Sequence, residues 1–344
     1  MINNGLEGVV VAETAISEVD GERGRLVIAG YDVERLAATH TYEKTVARLV
    51  GERPLGGARA AAWELVPRLG DALDAPDAMD ALRASLAHLP SRGDAEDVDA
   101  VLGAAPVFVA AWGRKRAGRS PVAPDPSLGH AADYLRMTTG EVATTAAARA
   151  LDAYFVTVID HGMSASTFTA RVIASTASDL VSSIVGAVGA LKGPLHGGAP
   201  GPVLDMLDAI GDASQAEAWL LAELAAGRRI MGMGHRVYRV RDPRAAVLET
   251  AVRDLAGKRL DLARGVERAA AKILAERKPD RPLAANVEFY TAVLLDAVGL
   301  VREQFAATFA VSRTAGWCAH VLEQRRTGRL IRPASRYVGE LVGG

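Results

Sequence analysis

"EVATTAAARALDAYFVTVID", residues 141–160, sets the local geometry from which the fold can be read. Leu151, Tyr154, Phe155, Val158 and Ile159 recur at the three- and four-residue spacing that lines one face of a helix. Outward from this stretch the same periodicity returns at 202–226, 243–257, 260–278, 287–299 and 302–327. Thr41 stands where it can cap "YEKTVARLVG", and Asp97 where it can cap "VDAVLGAAPVFVAAWGRK". Aromatic residues make up only 5% of the chain and Ala is abundant, as suits closely packed helices. The expected fold is therefore mainly α and multi-helical. The first 31 residues are the exception. In "GVVVAETAISEVDGERGRLVIAGY", β-branched clusters flank "VDGERG", which predicts a short hairpin around an Asp-Gly turn. "GRKRAGRSPVAPDPSLG", at 113–129, carries three prolines and reads as the clearest long loop.

A chain of 344 residues can bury a large core and has room for two domains. Its 40 basic and 41 acidic residues leave a net charge of −1, so nothing global favours nucleic acid or an anionic membrane surface. Anion binding must come from local arginines. The single cysteine, Cys318, excludes an intrachain disulfide framework and a cysteine-based zinc site, and fits a reducing compartment. "MINNGLEGVVVAE" shows no basic-then-apolar leader, and the most apolar stretch, 179–193, is short for a bilayer and rich in Ser and Gly. A cytoplasmic protein is expected.

Three segments carry chemistry. "DPRAAVLETAVRDLAG" opens with Asp242 as an N-cap and Pro243 at the first helical position, which puts Arg244 in the first turn beside a helix dipole suited to a carboxylate or phosphate. An ion pair with a nearby acid would serve Arg244 as well. "GMGHRVYRVR" places His235 after two glycines and before Arg236, Arg239 and Arg241. It is not a dinucleotide fingerprint, because the third glycine position holds Val237 and no strand precedes it. The alternation of Arg with Val and Tyr is compatible with a solvated edge. "GPLHGGAP" sets His196 among small residues, with Gly197-Gly198 available as a hinge. "DHGMSASTFTAR" adds His161 at a helix end, with Ser164 or Ser166 to cap the next helix. In "ANVEFYT", Asn286 is a cap and Glu288 an acid in a first helical turn, which is good helix design whether or not Glu288 has a further role. No His-Glu-x-x-His, Walker loop or Gly-x-Ser-x-Gly is present, and no metal is expected. Loop histidines, one carboxylate and several arginines suit proton abstraction beside a carbonyl, with anionic substrates held by the arginines.

Taken in order, "GPLHGGA", "GHRVYRVRDPRA", "NVEFYTAVLLDAVG", "SRTAGWCAHVLEQ" and "IRPASRYVG" resemble the citrate synthase family, from about residue 5 to residue 340. The resemblance implies an almost all-α homodimer. Its large domain would comprise 1–196 and 300–344, and a small domain, 197–299, would close over the cleft. It implies His196 as the histidine that stabilises the enol of acetyl-CoA, His235 as the one that polarises the oxaloacetate carbonyl, and Glu288 as the base. His161, Arg244 and Arg313 would bind substrate, Arg332 would reach across the dimer, and Arg239 would lie near the CoA phosphates. No cofactor would be bound permanently; acetyl-CoA or another acyl-CoA would be the co-substrate. The implied reaction is a metal-free condensation followed by hydrolysis of citryl-CoA. 2-Methylcitrate synthesis from propionyl-CoA and a non-catalytic homologue that binds acyl-CoA or a dicarboxylate are the alternatives. Three positions depart from the family pattern: Glu288 replaces the usual Asp, Gly162 and Ser164 stand in "DHGMSAS" where "DHELNAS" is more common, and Pro200 replaces Asn. A base displaced by about an ångström can lose on the order of 100-fold in rate.

Overall fold

The computed structural model describes residues 5–6, 8–196, 200–235, 237–277 and 283–340, without the side chains of Pro200 and Thr327. Gly197, Gly198 and Arg236 lie outside the described residues, as does the side chain of Pro200. The expected hairpin is present: β1 (Ser17–Asp20) pairs antiparallel with β2 (Arg25–Ile28), and β2 with the two-residue β3 (Tyr31–Asp32). Asp20 closes the turn by accepting the N–H groups of Glu22 and Arg23.

The rest is helical. The first helices are α1 (Val33–Thr39), α2 (Tyr42–Val50), α3 (Leu55–Trp63), α4 (Ala78–Leu86) and α5 (Asp94–Arg116). Then follow α6 (His130–Thr139), α7 (Thr145–Val158), α8 (Ala165–Ser175) and α9 (Leu180–Leu191). The chain continues through α10 (Pro200–Ile210), α11 (Ala216–Ala225), α12 (Pro243–Ala251), α13 (Gly257–Arg277), α14 (Val287–Ala297) and α15 (Phe305–Thr327). Thr41, Ser164, Asp242 and Asn286 cap their helices as the sequence predicts. Asp97 does not. Helix α5 begins three residues earlier, behind Gly93, and the buried Asp97 carboxylate instead accepts from Ser91 Oγ and the Arg92 N–H, both at 2.7 Å. Helix α5 also runs on to Arg116, into the stretch read as loop, because the prolines start only at Pro121. The single helix expected over 202–226 breaks at Gly211, whose φ of +70° ends α10.

Helices α5 and α15 form the centre. Val98, Val101 and the run Gly103–Trp112 are buried around most of the circumference of α5, as befits a helix enclosed on all sides. Helices α3, α4 and α6 pack on α5, while α8 and α9 pack on each other and on α15. Helices α10–α14 make a second group, in which α10, α12 and α13 meet α14, and α11 meets α13. This group meets the first mainly where α12 and α14 lie against α7. The candidate residues gather along that seam. Among the described residues no helix is long and apolar enough to cross a membrane.

Candidate active site

The loop that carries His235 is tied to the start of the helix that carries Glu288. Met233 and Ala285 form an antiparallel bridge. The Gly234 N–H donates to the Ala284 carbonyl at 2.7 Å, and the Asn286 N–H to the Gly232 carbonyl at 2.9 Å. Asn286 works in both directions: its Oδ1 caps α14 by accepting the Glu288 N–H at 3.0 Å, and its Nδ2 donates to the Gly234 carbonyl at 2.9 Å. Gly234 has φ +84°, and a Cβ there would lie 2.8 Å from Leu283, so the backbone path to His235 needs glycine.

His235 is held by main chain. Its Nδ1 accepts the N–H groups of Val237 and Tyr238, each at 3.0 Å. A nitrogen that accepts N–H bonds carries no proton, so the ring is the Nε2–H tautomer. Burial, followed by the Arg244 charge, lowers its pKa to about 4. It therefore offers a neutral N–H donor at pH 7. Tyr238, far from a solvated edge, is buried; its hydroxyl lies 3.1 Å from His161 Nε2, and its ring tilts over His235 at 4.7 Å between centroids. His161 meets His235 edge-on at 5.5 Å, and burial, then Arg244, depresses its pKa well below that of free histidine.

His196 has the opposite tautomer. The Ser166 N–H donates to His196 Nε2 at 3.2 Å, and Ser166 Oγ lies 2.8 Å from the same nitrogen. The Trp317 indole N–H donates to Ser166 Oγ at 3.2 Å, and Ser164 Oγ lies 3.2 Å from the same oxygen. With Nε2 accepting the Ser166 N–H, His196 keeps its proton on Nδ1. Burial and then Arg313 bring its pKa to about 4, so this ring is neutral too.

Glu288 has one carboxylate oxygen, Oε2, buried with no hydrogen bond among the described residues. Burial raises its pKa to about 7, against the opposing pull of Arg244. A carboxyl titrating near neutrality has the basicity expected of a general base. Arg313, on α15, is 1% exposed; its Nε donates to the Val158 carbonyl at 2.7 Å, while its Nη2 is buried without a partner among the described residues. Burial lowers its pKa to about 10, which still leaves it charged. Arg244 is buried as well and forms the ion pair the sequence allowed: Asp242 accepts its Nε at 3.0 Å and its Nη2 at 2.7 Å. Two buried guanidiniums set against neutral imidazoles make a site for an anion.

The remaining candidates lie apart. Arg239 is exposed; its N–H donates to the Gly21 carbonyl at 2.9 Å, and its side chain lies 3.9 Å from Glu22. The tip of the hairpin therefore rests on the His235 loop. A Cβ on Gly21 would lie 2.3 Å from the Val237 carbonyl oxygen, so only glycine allows that approach. Arg332 is exposed in the irregular segment after α15 and bonds to none of the other candidates among the described residues. Ser166, Tyr238 and Trp317 did not stand out in the sequence as site residues; Ser166, in the first turn of α8, reads there only as a possible cap. Among the described residues, no group of three or more His, Cys, Asp or Glu could hold a metal ion.

A family model described as "Citrate synthase, C-terminal domain" matches residues 5–334. The citrate synthase of Haloferax volcanii is 37% identical over 371 residues, covering 98% of this chain and 96% of the relative. The 2-methylcitrate synthase of Mycobacterium tuberculosis is 37% identical over 365 residues, covering 98% and 91%. Among solved structures, the ternary complex of carboxymethyl coenzyme A and oxaloacetate with the citrate synthase of Thermoplasma acidophilum superposes with a TM-score of 0.88. It is 27% identical, and the match covers 100% of this chain and 98% of that one.

Proposed function

The chain belongs to the citrate synthase family of acyltransferases, and we propose from that premise that it condenses acetyl-CoA with oxaloacetate at the seam between α7, α12 and α14. The observation that carries the reading is the complementary pair of neutral histidines, His196 offering Nδ1–H and His235 offering Nε2–H, set around Arg313 and Arg244, the two arginines whose charges also act on Glu288. Each can stabilise a developing oxyanion without first losing a proton. Glu288 takes a proton from the thioester methyl while His196 donates to the thioester oxygen, which gives the enol. His235 donates to the ketone oxygen of oxaloacetate, and the enol carbon forms the new carbon–carbon bond to that ketone carbon. Water then cleaves the thioester, which releases citrate and the CoA thiol. Arg244 and Arg313 bind the dicarboxylate, and His161, joined to Tyr238, contributes a further contact.

Residues 197–299 are assigned to a small domain that closes on the remainder; the mutual packing of α10–α14 supports it. Arg332 is assigned to the site of a second copy in a homodimer, which accords with its exposed, site-remote position in this chain. Arg239 is assigned to the CoA phosphates, and the protein to the cytoplasm.

The relative named 2-methylcitrate synthase matches as well in identity as the relative named citrate synthase, so propionyl-CoA is the second reading. Free thiol released from acetyl-CoA and from propionyl-CoA, each with oxaloacetate, decides between them by kcat/KM. No thiol from either at millimolar substrate, with oxaloacetate still bound in calorimetry, would leave a binding homologue instead of an enzyme.

A further inference from the structure

Around Glu288, four buried polar atoms make no hydrogen bond of good geometry among the described residues: Glu288 Oε2, Thr291 Oγ1, Tyr154 Oη and Arg313 Nη2; the Tyr154 hydroxyl lies within reach of Thr291 and feels the charges of Glu288 and Arg313. They come from three helices, and their placement is not accidental to the packing. Thr291 lies one turn beyond Glu288 on α14, so the two side chains share a face. Tyr154 lies one turn before Val158 on α7, and the Val158 carbonyl holds Arg313 Nε at 2.7 Å. Arg313 is thereby fixed against the stretch of α7 that carries Tyr154, where α7 also packs on α14. Tyr154 and Thr291 are 0% exposed. Leaving a buried polar atom without a hydrogen bond is costly, so four such atoms near one another are a strong sign that they serve each other.

Their donors and acceptors match. The guanidinium donates, each hydroxyl donates and accepts, and the carboxylate accepts. We propose that Tyr154 and Thr291 are positioning residues whose hydroxyls hold the Glu288 carboxylate as the site closes on substrate. The proposal rests on Glu288 as the base and gives that base what an apolar interior withholds. Burial alone favours the protonated carboxyl, and a protonated carboxyl cannot accept the methyl proton. Hydrogen bonds donated to Oε2 favour the carboxylate and fix which lone pair meets the substrate. Other groups set the same balance: Arg244 and Asp242 from the start of α12, and Arg313 from α15. No charge on α10 or α13 shifts Glu288, and α13 reaches α14 elsewhere, through the 2.5 Å bond from Tyr290 to Glu267. Burial, and next the charge of Glu288, raise the Tyr154 hydroxyl well above its usual pKa, so it remains a donor throughout the working pH range.

The test is the pH profile of kcat for Tyr154→Phe and Thr291→Val, neither of which changes the shape of the core much. The acid limb should move up by about half a unit to one unit, with kcat near pH 7 falling about 3- to 5-fold and recovering at higher pH. KM for oxaloacetate should stay within about 2-fold, and Thr291→Ser should return the limb to its original place. A purely structural role would lower Tm and leave the limb where it was, and that result overturns the proposal. If Tyr154→Phe does not fold, Thr291→Val carries the test alone. Glu288→Gln is run alongside. Full activity in that variant removes Glu288 as the base, whereas an inactive Glu288→Gln with unmoved limbs in the hydroxyl variants removes only the positioning role.

Discussion

The loops that carry His235 and His196 are held in different ways. The His235 loop is stitched to the start of α14 through Gly232, Gly234, Ala284, Ala285 and Asn286, and two main-chain N–H groups fix its ring. His196 ends a turn in which its own N–H donates to the Gly193 carbonyl at 2.9 Å, and among the described residues one, Ser166, bonds its ring. The difference separates two tasks. The half we assign to the dicarboxylate is tied together by main-chain bonds, with Glu288 at the start of the same helix. The half assigned to the thioester is held through a single residue, Ser166, by its main-chain N–H and its hydroxyl.

That contrast can be broken at three places. Glu288→Asp shortens a carboxylate whose backbone is stitched in place and cannot follow. Turnover should fall about 100-fold, with oxaloacetate binding retained. If Glu288→Asp turned over as fast as the parent, the unit would have to give way after all. Ser166→Ala removes the hydroxyl beside His196 Nε2 but leaves the Ser166 main-chain N–H there. About a 10-fold loss in kcat is expected, with KM for oxaloacetate unchanged. An equal rise in KM would mean that the two halves are not separate. Gly21→Ala tests the hairpin resting on the His235 loop: its Cβ would lie 2.3 Å from the Val237 carbonyl oxygen, so hairpin or loop must yield. KM for oxaloacetate should rise about 5-fold in steady-state kinetics while His196-dependent steps are spared. An unchanged KM would detach the hairpin from the site.

Much of this was legible because local rules governed it. The caps Thr41, Asp242 and Asn286, the Asp-Gly hairpin and the helical face of 151–159 all rest on short-range geometry. Where several residues satisfied one rule, the sequence misled. Asp94, Glu96 and Asp97 all suit a first turn, and the Asp97 carboxylate is taken by Ser91 and Arg92 in the turn just before the helix. Tyr154 read as one more apolar position because periodicity sees a ring and not the hydroxyl at its end. The Asp242–Arg244 fork was half visible: the ion pair could be anticipated, but its burial could not. Ser166 was invisible as a partner of His196, since contact across thirty residues depends on how α8 lies and leaves no local trace.

The first strand of the hairpin has a consequence for how this chain is made. The Ala15 N–H donates to Glu323 at 2.9 Å, across 308 residues, and Ser17 bonds Asp160 in the buried region where His320 faces Asp160 at 3.2 Å. Tyr42, in the second helix, likewise reaches the Val311 and Ser312 carbonyls. Ala15 and Tyr42 therefore await partners that lie 269 to 308 residues further along the chain. Loops of that length close slowly, so the N-terminal strand should dock as a late event in folding, after synthesis of α15. Until then its exposed edge is a surface that nascent chains in a crowded polysome must keep from one another.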